Sequence, residues 1–167
     1  MFSKVNILLN RFLHSFLILL TAAILIIITY QVFGRYVLNS APSWTEETAR
    51  IILVWISMTG AAVLVRKRTN IKLDFIVKAV FSEQWNRFIG VIIDCLIIFF
   101  ATIIFYLGIK HSIKNIHYTT EALHLPMVLL TGTIPVSAFF MIFFGVENLF
   151  DSIRLLLKYH MTTGNSQ

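Results

Sequence analysis

Residues 12–34 contain no Asp, Glu, Lys or Arg, and Leu13 to Val32 is almost wholly apolar. A helix rises 1.5 Å per residue, so about 20 apolar residues cross a bilayer core of about 30 Å. A secretory signal peptide is the competing reading, because Lys4 and Arg11 precede the run. Its apolar region would be about 7–15 residues and would end at a small-x-small cleavage site. This run is longer and no such site follows, so residues 12–34 read as an uncleaved first span.

Three further spans follow by the same logic. Ile51 to Val65 is uncharged, but that stretch covers only about 22 Å of helix and must begin earlier. Ser43 followed by Glu46 forms a capping box, and acids in the first turn suit the positive end of the helix dipole. The second span therefore runs over about residues 44–65, starting at Trp44 with two charged turns. The third covers about residues 85–109, with Asp94 its only charge after Arg87. The fourth covers about residues 126–150. Pro126 suits a first helical position, and Pro135 is expected to kink the helix. Between spans two and three, Leu73, Ile76, Val77, Val80 and Phe81 share one helical face, with Lys72, Asp74 and Lys78 mostly on the other. That pattern predicts a short amphipathic helix in the membrane surface, about residues 71–82.

Composition agrees. Hydrophobic residues make up 57% and charged residues 13%, against roughly 45–50% and 25% in soluble domains. These values exclude a soluble enzyme, a disordered chain and a disulfide scaffold. The expected fold is all-α integral membrane: residues 1–160 form a single four-helix domain and 161–167 a C-terminal tail. The net charge of +6 reflects loops facing anionic lipid rather than nucleic acid. With four spans both termini share a side. That side carries Lys4, Arg11, Arg66, Lys67, Arg68, Lys72, Lys78, Arg87, Arg154 and Lys158, and the other Arg35, Arg50, Lys110 and Lys114. The bias places both termini in the cytoplasm.

Catalytic chemistry finds no support. The lone Cys95 cannot form an internal pair, no GxSxG occurs, and paired intramembrane haem histidines are absent. His117, Glu121 and His124 could share one helical face, but without tight metal-ligand spacing they read as an interfacial loop. Asp94 is the best intramembrane carboxylate. Such groups are functional by default, though one can equally pair with a neighbouring helix or with Arg87. The densest polar cluster is Arg35, Trp44, Glu46, Glu47 and Arg50. At membrane depth these charges must face another helix, headgroups or a second protein. Two readings stay open: a closed ion-pair cluster with Arg35 tying span one to span two, or docking of a partner. Ser57 and Ala61 in span two form a small-xxx-small pair that permits close helix approach.

Several stretches carry a resemblance. Gln31-Val32-Phe33-Gly34-Arg35-Tyr36, Trp44-Thr45-Glu46-Glu47-Thr48-Ala49-Arg50, Val54-Trp55 and Gly60-Ala61-Ala62 resemble the small membrane subunit of TRAP transporters, the DctQ-like family. Arg66 with Ile71 and Asp74 looks like the family's basic turn and amphipathic stretch, and Leu125-Pro126 and Ile134-Pro135 look like features of its last span. Asn70 departs from the His common there. The resemblance covers about residues 11–155. It implies a non-catalytic scaffold subunit in a bacterial inner membrane. Its partners would be a large TRAP membrane subunit, a periplasmic substrate-binding protein and membrane lipids. The system would import an organic acid, a sialic acid or a C4-dicarboxylate, on a sodium gradient. Sodium is then expected in the large subunit and no cofactor in this chain. Arg35, Trp44, Glu46, Glu47 and Arg50 would serve the outer face, Arg66 and Asp74 the cytoplasmic face. The alternative is a stand-alone four-helix carrier or channel using Asp94.

Overall fold

A computed structural model describes residues 2–37, 39, 42–67 and 83–164. Side chains are described over 8–37, 39, 42–67, 88–154 and at Leu156. Asp74 and the expected surface helix of residues 71–82 lie outside the described residues, as does the side chain of Arg87.

The chain forms α1 (Phe2–Tyr36), α2 (Ser43–Lys67), α3 (Glu83–Lys114), a single turn α4 (Val128–Thr131) and α5 (Thr133–Gly164). Among the described residues, four helical segments are long and apolar enough to cross a membrane: Leu8–Tyr36, Ser43–Lys67, Phe88–Lys114 and Val128–Arg154. Helix is what such segments adopt, because only a helix closes its backbone hydrogen bonds within one segment. The helices outrun the charge-free windows because Lys and Arg can extend from helix ends towards headgroups.

The start of α2 differs from the expected capping box. Ser43 is already helical. The turn is closed by Thr45, whose N–H and hydroxyl both bond the Pro42 carbonyl, at 3.2 and 2.6 Å. The fourth span also starts differently. Pro126 bridges to Thr119, and the Met127 N–H bonds the Tyr118 carbonyl at 2.8 Å. The helix then opens at Val128 and is interrupted at Gly132. Pro135 explains the interruption. It offers no N–H to the Thr131 carbonyl four residues back, and its ring crowds that oxygen. The expected kink is thus a break between α4 and α5.

Contacts define a row. Among the described residues α1 touches only α2, α2 also touches α4 and α5, and α3 touches only α4 and α5. The four long helices therefore lie in the order α1–α2–α5–α3, a single open layer rather than a closed bundle. A water-soluble protein could not leave both faces of such a layer bare. In lipid the bare faces need no cover, because lipid tails are as apolar as leucine.

α1 and α2 run antiparallel, with Tyr30 against Trp44 near one end and His14 beside Lys67 at the other. α3 and α5 are likewise antiparallel, through Phe105–Phe139 and Asp94–Ser152. We call the edge with the 37–42 and 115–127 connections the loop end and the opposite edge the terminal end. The core is small and lies towards the terminal end, where Leu13, Val63, Val65 and Phe144 cluster.

The α3/α5 seam is built from small residues two turns apart. Asp94, Ala101 and Gly108 on α3 are buried, as are Thr131, Ala138, Gly145 and Ser152 across α4 and α5. A spacing of seven nearly completes two helical turns, so each set stays on one face. Small side chains let the backbones approach. A Cβ built on Gly108 would lie 2.8 Å from Ile134 Cγ2 and 3.1 Å from the Pro135 nitrogen, and one on Gly145 2.9 Å from Ile98 Cγ1.

Gly108→Ala is expected to lose about 1–3 kcal/mol, because the Pro135 backbone cannot rotate aside. Gly60→Ala meets nothing within 4 Å and should be neutral or gain up to about 1 kcal/mol of helix propensity. Thermal unfolding of the full chain in detergent checks this. Equal melting temperatures for the two variants would rule out a tight seam.

Candidate functional site

The polar residues of α2 sort into two groups. One group holds α2 to the α3–α5 hairpin at three levels. In the first turns, Glu47 Oε2 accepts the Ala122 and Leu123 N–H groups at 2.7 and 3.2 Å. Midway, Trp55 Nε1 donates to the Leu129 carbonyl at 2.9 Å, and Phe16 of α1 meets the Trp55 ring edge-on. In the last turn, Asn148 Nδ2 donates to the Val65 carbonyl at 2.8 Å. Arg66 Nη1 lies 3.1 Å from Glu147 Oε2, with its guanidinium 6.0 Å from the centre of the Phe144 ring. At 100° per residue, Glu47, Trp55, Ala62 and Arg66 fall within an arc of about 100°, which aims all four at one neighbour.

Each contact has a local reason. The Val65 carbonyl belongs to the last turn of α2, where helix carbonyls need partners from outside the helix. The Leu129 carbonyl lies just before the break, and there it also receives the Thr133 hydroxyl at 3.4 Å. The Glu47 carboxylate meets two consecutive backbone N–H groups, a concave anion seat with charge-assisted bonds. The loop that offers them is itself ordered: Thr120 N–H bonds the Leu125 carbonyl at 2.9 Å, and Leu125 N–H bonds the Thr120 hydroxyl at 3.0 Å.

The second group faces outward. Arg35, Glu46 and Arg50 are exposed, and Trp44 is 41% exposed with its ring on Tyr30. Among the described residues no ion pair joins any of them. Arg35 therefore does not close the cluster with Glu46, Glu47 and Arg50. Glu47 lies 100° around the helix from Glu46, so it turns to the loop while its neighbour faces away. Arg35, Glu46 and Arg50 are left open to whatever lies beside the row.

Asp94 is 2% exposed, and its Oδ2 accepts the Ser152 hydroxyl at 2.6 Å across the α3/α5 seam. Ser57 is exposed and bonds the Leu53 carbonyl on its own helix, while Thr59 and Ala62 occupy the buried face. His117, Glu121 and His124 are all exposed, and among the described residues no three His, Cys, Asp or Glu side chains converge as metal ligands. The sequence reading missed Asn148 and Ser152. Their signal was present: a polar residue in an apolar helix needs a partner, and Ser152 stands seven residues from Gly145. Glu147, one residue before Asn148, pairs with Arg66.

The family described as tripartite ATP-independent periplasmic transporters, DctQ component, matches residues 24–155. The chain is similar to the sialic acid TRAP transporter small permease protein SiaQ of Vibrio cholerae, with 25% identity over 138 residues, 83% of this chain and 79% of that protein. It is 28% identical over 153 residues to the isethionate TRAP transporter permease protein DctMQ of Oleidesulfovibrio alaskensis, a match covering 87% of this chain but 24% of that longer protein. It is also 28% identical over 88 residues to the sialic acid TRAP transporter permease protein SiaT of Haemophilus influenzae, covering 53% of this chain and 14% of that one.

Glu47→Ala leaves the Ala122 and Leu123 amides without their acceptor. Hydrogen bonds to a charged group contribute about 1.5–3 kcal/mol, so amide exchange at those two residues is expected to quicken by about tenfold or more. Glu46→Ala should leave it unchanged. Equal exchange in the two variants would show that Glu47 does not hold the loop.

Proposed function

This chain belongs to the DctQ component family of the tripartite ATP-independent periplasmic (TRAP) transporters, and we propose that it is the fixed scaffold subunit beside a large permease. The observation that carries this reading is the open row. α1–α2–α5–α3 presents two broad apolar faces, and its polar contacts are spent on holding the row together. A carrier needs a protected path between two sides. A rigid layer is suited instead to widening the membrane footprint of a moving neighbour. The similarity to DctMQ supports the pairing, because the matching stretch there is part of a much longer permease chain.

The exposed Arg35, Trp44, Glu46 and Arg50 form the contact region for the large permease at the loop end. Charges at this depth gain most from a desolvated protein partner. Arg66 braces the opposite end, with Asp74 following it in sequence. The basic bias places both termini in the cytoplasm and the loop end outside, facing a periplasmic binding protein. The membrane is the bacterial inner membrane, and transport is coupled to sodium bound in the large permease. The substrate is an organic acid, with sialic acid favoured by the similarity to SiaQ.

The test is co-purification and uptake. Tagged chain co-expressed with the large permease should retain it at one-to-one stoichiometry. Arg35→Ala with Arg50→Ala should lower its recovery by about tenfold, equivalent to about 1.4 kcal/mol. In proteoliposomes supplied with the binding protein, uptake should fall in parallel while the order of competing acids stays the same. A changed substrate preference would count against a scaffold. Transport by this chain alone, abolished by Asp94→Asn, would instead make it a self-contained carrier.

A further inference from the structure

At the loop end of the α3/α5 seam lies an open furrow of about 560 Å³. Lys110, His111 and Lys114, in the last turns of α3, form its upper rim, while Ile104 and Leu107 line it below and Ile134 stands on the α5 side. Gly108 lines the furrow as well. With no side chain there, α3 comes down onto Ile134 and Pro135.

The charge in the furrow is one-sided. No acid lines it, and among the described residues no ion pair engages Lys110 or Lys114. His111 is occupied by Asn115, whose Nδ2 lies 3.2 Å from its Nε2. Last-turn carbonyls favour cations at a helix end, which accounts for the basic residues but not for the apolar furrow beneath them. The span from Lys110 to Ile104 is about 9 Å of helix. An interfacial layer is about 5–7 Å deep on each side of the hydrocarbon. The rim and floor are therefore spaced as a lipid phosphate and the first part of its acyl chain are.

We propose that this furrow binds an anionic phospholipid, with its phosphate between Lys110 and Lys114 and one acyl chain along Ile104, Leu107 and Ile134. Lysines act as point charges with no bidentate fork. The furrow therefore selects for net negative charge on the headgroup, as in phosphatidylglycerol or cardiolipin. The proposal requires only that the chain lies in a bilayer, so it stands apart from the scaffold reading.

The experiment is native mass spectrometry of the full chain in mild detergent with phosphatidylglycerol, cardiolipin, phosphatidylethanolamine or phosphatidylcholine added in turn. Each lysine near an anionic surface contributes about a factor of five, so the two anionic lipids should be retained up to about 25-fold more than phosphatidylcholine. Lys110→Gln with Lys114→Gln should abolish that preference, while Lys67→Gln at the opposite end should leave it. An unchanged melting temperature in the double variant without lipid shows that folding is intact. Equal retention of all four lipids, or preference surviving the double substitution, overturns the proposal. Displacement by inorganic phosphate would make the furrow a free-anion site, and loss of bound lipid when the large permease is added would make it a protein interface. Either result also overturns it.

Discussion

Two helical hairpins, α1–α2 and α3–α5, meet along the α2 side of α4 and α5 and nowhere else among the described helices. The shape of the molecule depends on that seam. It is held at the start, middle and end of α2 by Glu47, Trp55 and the Arg66–Asn148 region. In water such contacts would compete with solvent and contribute little. In hydrocarbon the same groups have no solvent to return to, and polar contacts between helices are worth roughly 0.6–2 kcal/mol each. One of the acceptors, the Leu129 carbonyl, is made available by the break between α4 and α5, so an irregularity in one hairpin becomes an attachment point for the other.

The two seams flanking α5 use different means. Towards α2 the contact is polar and long-reaching. Towards α3 it is close approach of small residues, closed near the terminal end by the Asp94–Ser152 hydrogen bond. The second seam fixes distance and register, because Gly108 and Gly145 leave no room for a side chain. The first fixes how the hairpins stand beside each other. Together they produce a flat assembly with little core, stable only where lipid or another protein lies on both faces. That need for a neighbour suits the family's place in a multi-component transporter.

Much of this was legible in the residues. The four helical segments follow from windows without charge, and the cluster around Trp44–Arg50 stands out because charged groups are rare at that depth. Which members of the cluster turn inward was not legible. Glu46 and Glu47 look equivalent in sequence, yet one faces outward and the other seats on the amides of Ala122 and Leu123. Small residues in span two suggested a close approach through Ser57 and Ala61. The close approach lies between α3 and α5, where Gly108 meets Ile134 and Pro135 and Gly145 meets Ile98 across an antiparallel pair.

The sequence alone determined the four apolar helices found among the described residues, because a segment in hydrocarbon must complete its own backbone hydrogen bonds, and that requirement is local. It also determined the break near Pro135, since a missing N–H is a property of one residue. The order α1–α2–α5–α3 was decided only by the tertiary structure. Apolar faces are interchangeable to lipid, so nothing local chooses a neighbour. The choice rests on a few polar pairs far apart in the chain, such as Asn148 with Val65, separated by 83 residues.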